Sequence, residues 1–259
     1  FQNSLQNADS LNKISVNLYD EIILKGTKSQ VLRPTLYDFL AHRTIDFFSN
    51  SQSKLTIPIN NFQLKEKFYF SDTEDFIKAK ISTKDSLSFH FFAIENFRKL
   101  LKYKVQAGSD DAIIDIECKR IEFVRQNSVN EQKDSLYLSF LNRLEKKYAT
   151  NPLSAQASFA IAQFYRSRAY QYNPEIFETH IFKNSNQKAF DICKNIVEKF
   201  PKTNSATRAE NLLLEIKQKF LSFEIEENII PEDKILTKIN YRNISKVYVR
   251  IAAISSKKL

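Results

Sequence analysis

A mainly α fold is predicted: helical hairpins stacked as an irregular array, followed by a short C-terminal antiparallel β segment. Three observations carry that prediction. Glycine occurs 2 times and proline 6 times in 259 residues. Positive-φ turns and glycine-built phosphate loops are therefore scarce, and helices with short connections are favoured. Apolar residues recur at spacings of three and four through most of the chain, the period of a helix with one buried face. From Leu221 onward the period falls to two, the signature of strands.

The elements follow in order. Asp9 or Ser10 is a suitable N-cap for a first helix carrying Leu11, Ile14, Leu18 and Ile22 and stopping at Gly26. A second helix follows Arg33-Pro34, with proline suited to a first turn, and carries Leu36, Phe39, Leu40 and Phe47. Residues 49–70 break the pattern; Leu55, Ile57 and Ile59 suggest an extended segment lying over the helices. Ser71-Asp72-Thr73-Glu74 reads as a capping signal for a short helix. Three regular stripes come next: Leu87, Phe91, Ile94, Phe97 and Leu101; then Ile114, Cys118, Ile121 and Val124; then Tyr137, Leu141, Leu144 and Tyr148. Breaks are predicted at Gly108, around Asn127 to Gln132, and at Asn151-Pro152.

From Pro152 to Phe220 the pattern is that of stacked helical hairpins. Ala155, Ala157, Ala160 and Ala162 allow close helix approach, and Phe159, Phe164 and Tyr165 fill the space beside them. After a polar connection, Asn173 to Asn186, two helices repeat one stripe: Ala189, Cys193, Ile196, Phe200 and then Ala209, Leu213, Ile216, Phe220. Phe200-Pro201 stands between them, as a proline closes each hairpin in tetratricopeptide repeats; the array is TPR-like, with an irregular period. In the tail, Leu221, Phe223 and Ile225 alternate with polar residues, as do Ile235, Thr237, Ile239 and Tyr241, and then Val247, Val249, Ile251 and Ala253. Pro231-Glu232-Asp233 and Arg242-Asn243 supply turns. Three strands can form a meander but not a sandwich, which needs roughly seven. The domain division is thus 1–220, helical, and 221–259, the start of a β domain that continues beyond Leu259.

Net charge is +9, yet basic and acidic residues alternate along most helices. The densest basic cluster, Arg98, Lys99, Lys102 and Lys104, reads as a solvated helix face rather than a nucleic-acid stripe. Two cysteines, Cys118 and Cys193, sit on apolar stripes as buried thiols, with a single bridge between them left open. No apolar run approaches the ~18 residues of a membrane span. The histidines are His42 and His90, both in helix-packing positions, and His180, in a polar connection. None has a Ser or Cys and a carboxylate patterned for nucleophilic catalysis, and no Cys/His pair has zinc spacing. Asp110, Asp111 and Asp115 suit a helix N-terminus, where negative charge is favourable. The sequon Asn243-Ile244-Ser245 is read as a chance match. No catalytic, cofactor-binding or metal residue is singled out, and no cofactor is expected.

Three segments carry a family resemblance. Leu32-Arg33-Pro34-Thr35-Leu36-Tyr37-Asp38-Phe39-Leu40-Ala41-His42-Arg43, continuing through Ile45-Asp46-Phe47-Phe48, resembles a segment of the large alpha-2-macroglobulin-like proteins of Bacteroidetes. There it belongs to a helical region ahead of macroglobulin-type β domains. Lys188-Ala189-Phe190-Asp191-Ile192-Cys193 with Lys199-Phe200-Pro201-Lys202 resembles the last helical hairpin of that region. Ile239-Asn240-Tyr241-Arg242-Asn243-Ile244 with Lys246-Val247-Tyr248-Val249-Arg250 resembles the opening strands of the first macroglobulin-like domain. The three appear in family order, and the bias towards Asn, Lys, Ile and Phe agrees with such a source.

The resemblance implies a non-catalytic scaffold or docking region of a cell-envelope protein, periplasmic or outer-membrane-associated, whose family traps proteases. It implies protein partners: downstream domains of the same chain, proteases or envelope proteins. Neither nucleic acid nor a membrane span is expected for this segment. The family's Cys-x-x-Gln thioester has no counterpart, since Cys118 precedes Lys119-Arg120 and Cys193 precedes Lys194-Asn195. The alternative is a free-standing TPR-like adaptor that binds peptides in a concave groove. An adaptor should end in a polar capping helix, so strands after residue 220 favour the first reading.

Overall fold

The computed structural model describes residues 3–24, 26, 29–50, 61–85, 87–226 and 234–250. In chain order the helices are α1 (Ala8–Leu11), α2 (Ser29–Leu32), α3 (Leu36–Ser49), α4 (Thr73–Lys78), α5 (Phe89–Gln106), α6 (Asp110–Asn127), α7 (Lys133–Lys147), α8 (Ala155–Ala169), α9 (Ser185–Lys199) and α10 (Asn204–Lys217). Strands β1 (Phe220–Ile225) and β2 (Thr237–Arg242) follow. The chain is mainly helical with a short antiparallel sheet near its C-terminal end, as its periodicity predicts.

The long helices stack in sequence: α3 on α5, α5 on α6, then α7, α8, α9 and α10. α8 also meets α6 and α10. α6, α8 and α10 thus form one layer, with α8 in the middle. The boundaries have identifiable causes. Thr35 and Asp38 form a reciprocal capping box that starts α3. Gly108, at φ 64, ends α5; Ser109 N–H bonds Lys104 C=O and Gly108 N–H bonds Val105 C=O, the paired bonds of a Schellman motif. The Asn151 side chain accepts from Leu153 N–H and opens the turn into α8. The breaks at Gly108, at 127–132 and at Asn151-Pro152 fall where the sequence places them.

The N-terminal segment does not. Instead of one helix to Gly26 there is a single turn, α1, and a 3-10 turn at Val16–Tyr19. Asn7, not Asp9 or Ser10, holds the cap position. Backbone groups that a helix would need are spent on tertiary pairing: Val16 N–H donates to Pro34 C=O at 2.9 Å, and Leu36 N–H to Ile14 C=O at 2.8 Å. Leu18 and Ile22 are accordingly exposed. On α3 the predicted stripe is off by one position. Tyr37, Ala41, Ile45 and Phe48 are buried, whereas Phe47 is exposed. Apolar residues cover most of that helix, and α5 selects the face, through Tyr103 against Tyr37 and through Phe89 and Phe92 against Phe48.

Leu55, Ile57 and Ile59 lie outside the described residues. Just beyond them, Leu64 is fully buried; its C=O accepts from Ser128 Oγ at 2.7 Å and Val129 N–H at 3.2 Å. α4 forms at the capping signal, with Asp72 in the cap position. Leu87 is exposed ahead of α5, whose cap is Ser88. In the last hairpin Leu212 is buried rather than Leu213, and Phe220 starts β1 instead of extending α10.

The array is held by apolar stripes and by buried polar anchors. Ala155, Ala157 and Ala162 of α8 are fully buried, as are Ala189 and Cys193 of α9; the small side chains let these helices approach closely. Arg120 is fully buried. It pairs with Glu117 and donates to the carbonyls of Tyr69 at 2.6 Å and Ser71 at 2.9 Å. Its guanidinium lies over Phe76 at 4.3 Å and Phe140 at 4.9 Å. One side chain thus ties the 66–78 segment to α6 and α7.

β1 and β2 pair antiparallel from Phe220↔Arg242 to Ile225↔Thr237. The third predicted alternation is not a strand over residues 247–250; its remainder, Ile251 and Ala253, and the turn Pro231-Glu232-Asp233 lie outside the described residues.

Candidate functional site

A groove of roughly 660 Å³ opens along the layer formed by α6, α8 and α10, with the end of α3 at one side. Each helix presents one face to it, because residues three and four apart share a helix side. α3 supplies Asp46 and Ser49, α6 supplies Cys118, Lys119, Glu122 and Gln126, and α10 supplies Arg208. The groove side of α8 is Gln156, Ala160, Gln163 and Ser167. Its two glutamine amides stand two turns apart over a small-residue floor.

Most charges in the groove are matched. Asp46 pairs with Lys119 at 2.5 Å. Glu122 accepts from the Tyr137 hydroxyl at 2.7 Å and from the Gln126 amide at 2.8 Å. Arg125 donates to Asp134 at 2.9 Å, and its guanidinium lies 4.9 Å from the Phe164 ring centroid. Arg208 is different. Its guanidinium sits 4.3 Å above the Phe159 ring, and one N–H reaches Gln163 Oε1 at 3.5 Å. Among the described residues no carboxylate pairs with it. Such a surface can hold an extended polypeptide by amide and cation contacts. Burial, then Asp115 and Glu117, pushes the Cys118 thiol pKa up, so it stays protonated and unreactive at neutral pH.

The other residues weighed in the sequence are scattered. His42 is buried on α3; burial, then Arg33, Lys119 and Lys104, lowers its pKa to about 2, so its imidazole is neutral. Its helix-packing position agrees with the sequence, but no hydrogen bond holds the ring among the described residues, and Nδ1 is buried without a partner. His90 packs edge-on against Phe123. His180 bonds Pro174 C=O at 3.0 Å through Nε2. Cys118 and Cys193 are both free thiols, so no bridge joins them. Asp110 and Asp111 occupy the first turn of α6; Asp111 accepts from Asn151 at 2.6 Å, and Asp115 pairs with Arg33 at 3.1 Å. The basic cluster is not wholly a solvated face: Lys104 is buried against Asp38 at 2.6 Å. Asn243, at φ 55, donates its amide to the carbonyls of Ile216 and Gln218, tying the ribbon to α10. Among the described residues no group of three His, Cys, Asp or Glu could hold a metal ion.

Sequence reasoning missed Arg208 and the Arg120–Glu117 anchor. Nothing local marks Arg208. Arg120 had a signal: Glu117, Arg120, Ile121 and Val124 follow the spacing of a buried stripe, with opposite charges three apart.

The ribbon is the second exposed feature. Its alternate residues Leu221, Phe223, Ile225, Ile239 and Tyr241 share one face, and all are 37–65% exposed. The opposite face carries Ser222, Glu224, Lys238, Asn240 and Arg242, with Phe220 at its end. Among the described residues no helix is long and apolar enough to cross a membrane. Set against protein-family models, curated proteins and solved structures, the chain finds no match.

Proposed function

We propose that the helical array is a non-catalytic docking scaffold, the helical region of a macroglobulin-like cell-envelope protein whose first β domain begins with the β1–β2 ribbon. The observation that carries this reading is the passage from α10 into a ribbon with one open apolar face. A free-standing helical array calls for a polar capping repeat at that point; an open apolar sheet face calls for another layer. The three resembling segments, spread over residues 32–254, agree with it. On this reading the ribbon receives downstream β structure of the same chain, and the groove receives a segment of a protein partner. The setting is the periplasm or the outer-membrane-associated envelope, and protease trapping belongs to the whole protein rather than to this region.

The test is the coding sequence beyond Leu259 together with hydrogen exchange on its full-length product. Repeated β domains are expected downstream. Amides of β1 and β2 should be protected roughly 100-fold or more in the full-length protein relative to the 259-residue chain. A stop codon directly after Leu259 would overturn the macroglobulin reading and leave the free-standing adaptor.

A further inference from the structure

Resting on the docking reading above, we propose that the groove takes an extended partner segment bearing an aspartate or glutamate, with that carboxylate held by Arg208. A guanidinium stacked on a ring keeps its in-plane N–H donors free, and that planar fork matches a carboxylate bidentately. Arg208 is stacked on Phe159 at 4.3 Å and makes one long contact, to Gln163. Its neighbours in the array are already filled: Arg125 and Arg168 by Asp134, Arg166 by Glu215. The carboxylates of the groove, Asp46 and Glu122, are likewise engaged, by Lys119 and by Tyr137 with Gln126. Among the described residues the groove therefore has one unmatched charge, and it is positive.

The rest of the surface suits a polypeptide. The Gln156 and Gln163 amides can donate to and accept from an extended backbone, and Ala160 between them leaves room for it to approach. A basic side chain at the same point would meet Arg208 and be repelled, which supplies selectivity as well as attraction. The net charge of +9 steers acidic partners towards the chain. Nucleic acid is a poorer fit: the Phe159 and Phe164 faces are covered by Arg208 and Arg125, so bases have no open ring to stack on.

The experiment is phage display of random peptides of about a dozen residues on the 259-residue chain, followed by fluorescence anisotropy with the selected sequences. Binding is compared among the wild type, Arg208→Gln, Arg208→Glu and Gln163→Trp. Gln163 is exposed on α8, so Gln163→Trp obstructs the groove without touching the core; circular dichroism checks the fold of every variant. Expected are peptides rich in Asp or Glu. Their Asn or Gln isosteres should bind the wild type on the order of tenfold more weakly. They should lose little against Arg208→Gln, and Arg208→Glu should shift selection towards Lys and Arg. Neutral or basic peptides that Gln163→Trp still blocks would overturn this inference and leave the docking reading intact. Tighter groove binding of oligo-dT than of any peptide would also overturn it. If Gln163→Trp blocks no selected peptide, groove docking itself fails.

Discussion

The helical array and the β ribbon solve the same problem in opposite ways. Both are amphipathic. In the array every apolar stripe meets another, and the charges that fall inside are answered: Arg120 by Glu117 and two carbonyls, Lys104 by Asp38. In the ribbon the alternation is just as regular, yet Phe223 and Ile225 remain about half exposed, at 46% and 59%. A two-stranded ribbon has no second layer of its own and is marginal in water. The lesson is that amphipathicity measures a demand for a partner. The array meets that demand within the described residues, and the ribbon does not.

If the array is a self-sufficient core and the ribbon is not, substitutions should have unequal costs. The largest effect is expected for Arg120→Met, which strands Glu117 and two carbonyls and should cost about 3–5 kcal/mol by urea denaturation. Adding Glu117→Leu should recover part of that loss, because an apolar pair replaces an unpaired buried charge. A small cost for Arg120→Met alone would break the view of Arg120 as the anchor. Next, Ala162→Leu at the close approach of α8 and α9 should destabilise by about 1–3 kcal/mol through overpacking.

Acid sharpens the contrast further. The folded-state pKa of His42 lies near 2, against 6.5 for the free group. Above pH 6.5 the imidazole is neutral in both states and contributes no slope. Below it the unfolded chain takes up a proton that the folded chain refuses, so stability falls as pH falls. Between pH 6.5 and 5 the loss should approach about 2 kcal/mol. Urea titrations across that window should show a shallower pH dependence for His42→Phe than for the wild type. The smallest effect is expected for Phe223→Asp in the ribbon, within about 0.5 kcal/mol for unfolding of the array. A cost above about 2 kcal/mol would mean that the ribbon belongs to the core, and the comparison would fail.

Much of the array was legible because helix periodicity and breaks are local properties. Ile94, Phe97 and Leu101, or Tyr137, Leu141 and Leu144, are spaced for one buried face, and Gly108 supplies the left-handed residue that ends α5. Reading failed where two local solutions competed. The Leu11-to-Ile22 stripe has helical spacing, but its backbone at Ile14 and Val16 pairs with Leu36 and Pro34, partners that no local rule reveals. α3 has apolar residues on two faces, and only α5 chooses between them. The groove was not legible at all: its wall comes from six helices, and Arg208 gains its meaning from Phe159, far away in sequence.

The sequence by itself determined the helical array, most of its breaks, and a change to strands within a residue of where it falls, because spacing, capping and glycine scarcity act over a few residues. Tertiary structure alone decided which charges are buried and answered, which face of α3 is inside, and that Arg208 keeps an open fork in a groove. Those outcomes depend on distances between segments tens of residues apart, where desolvation and pairing are settled by neighbours that the chain brings together only when folded.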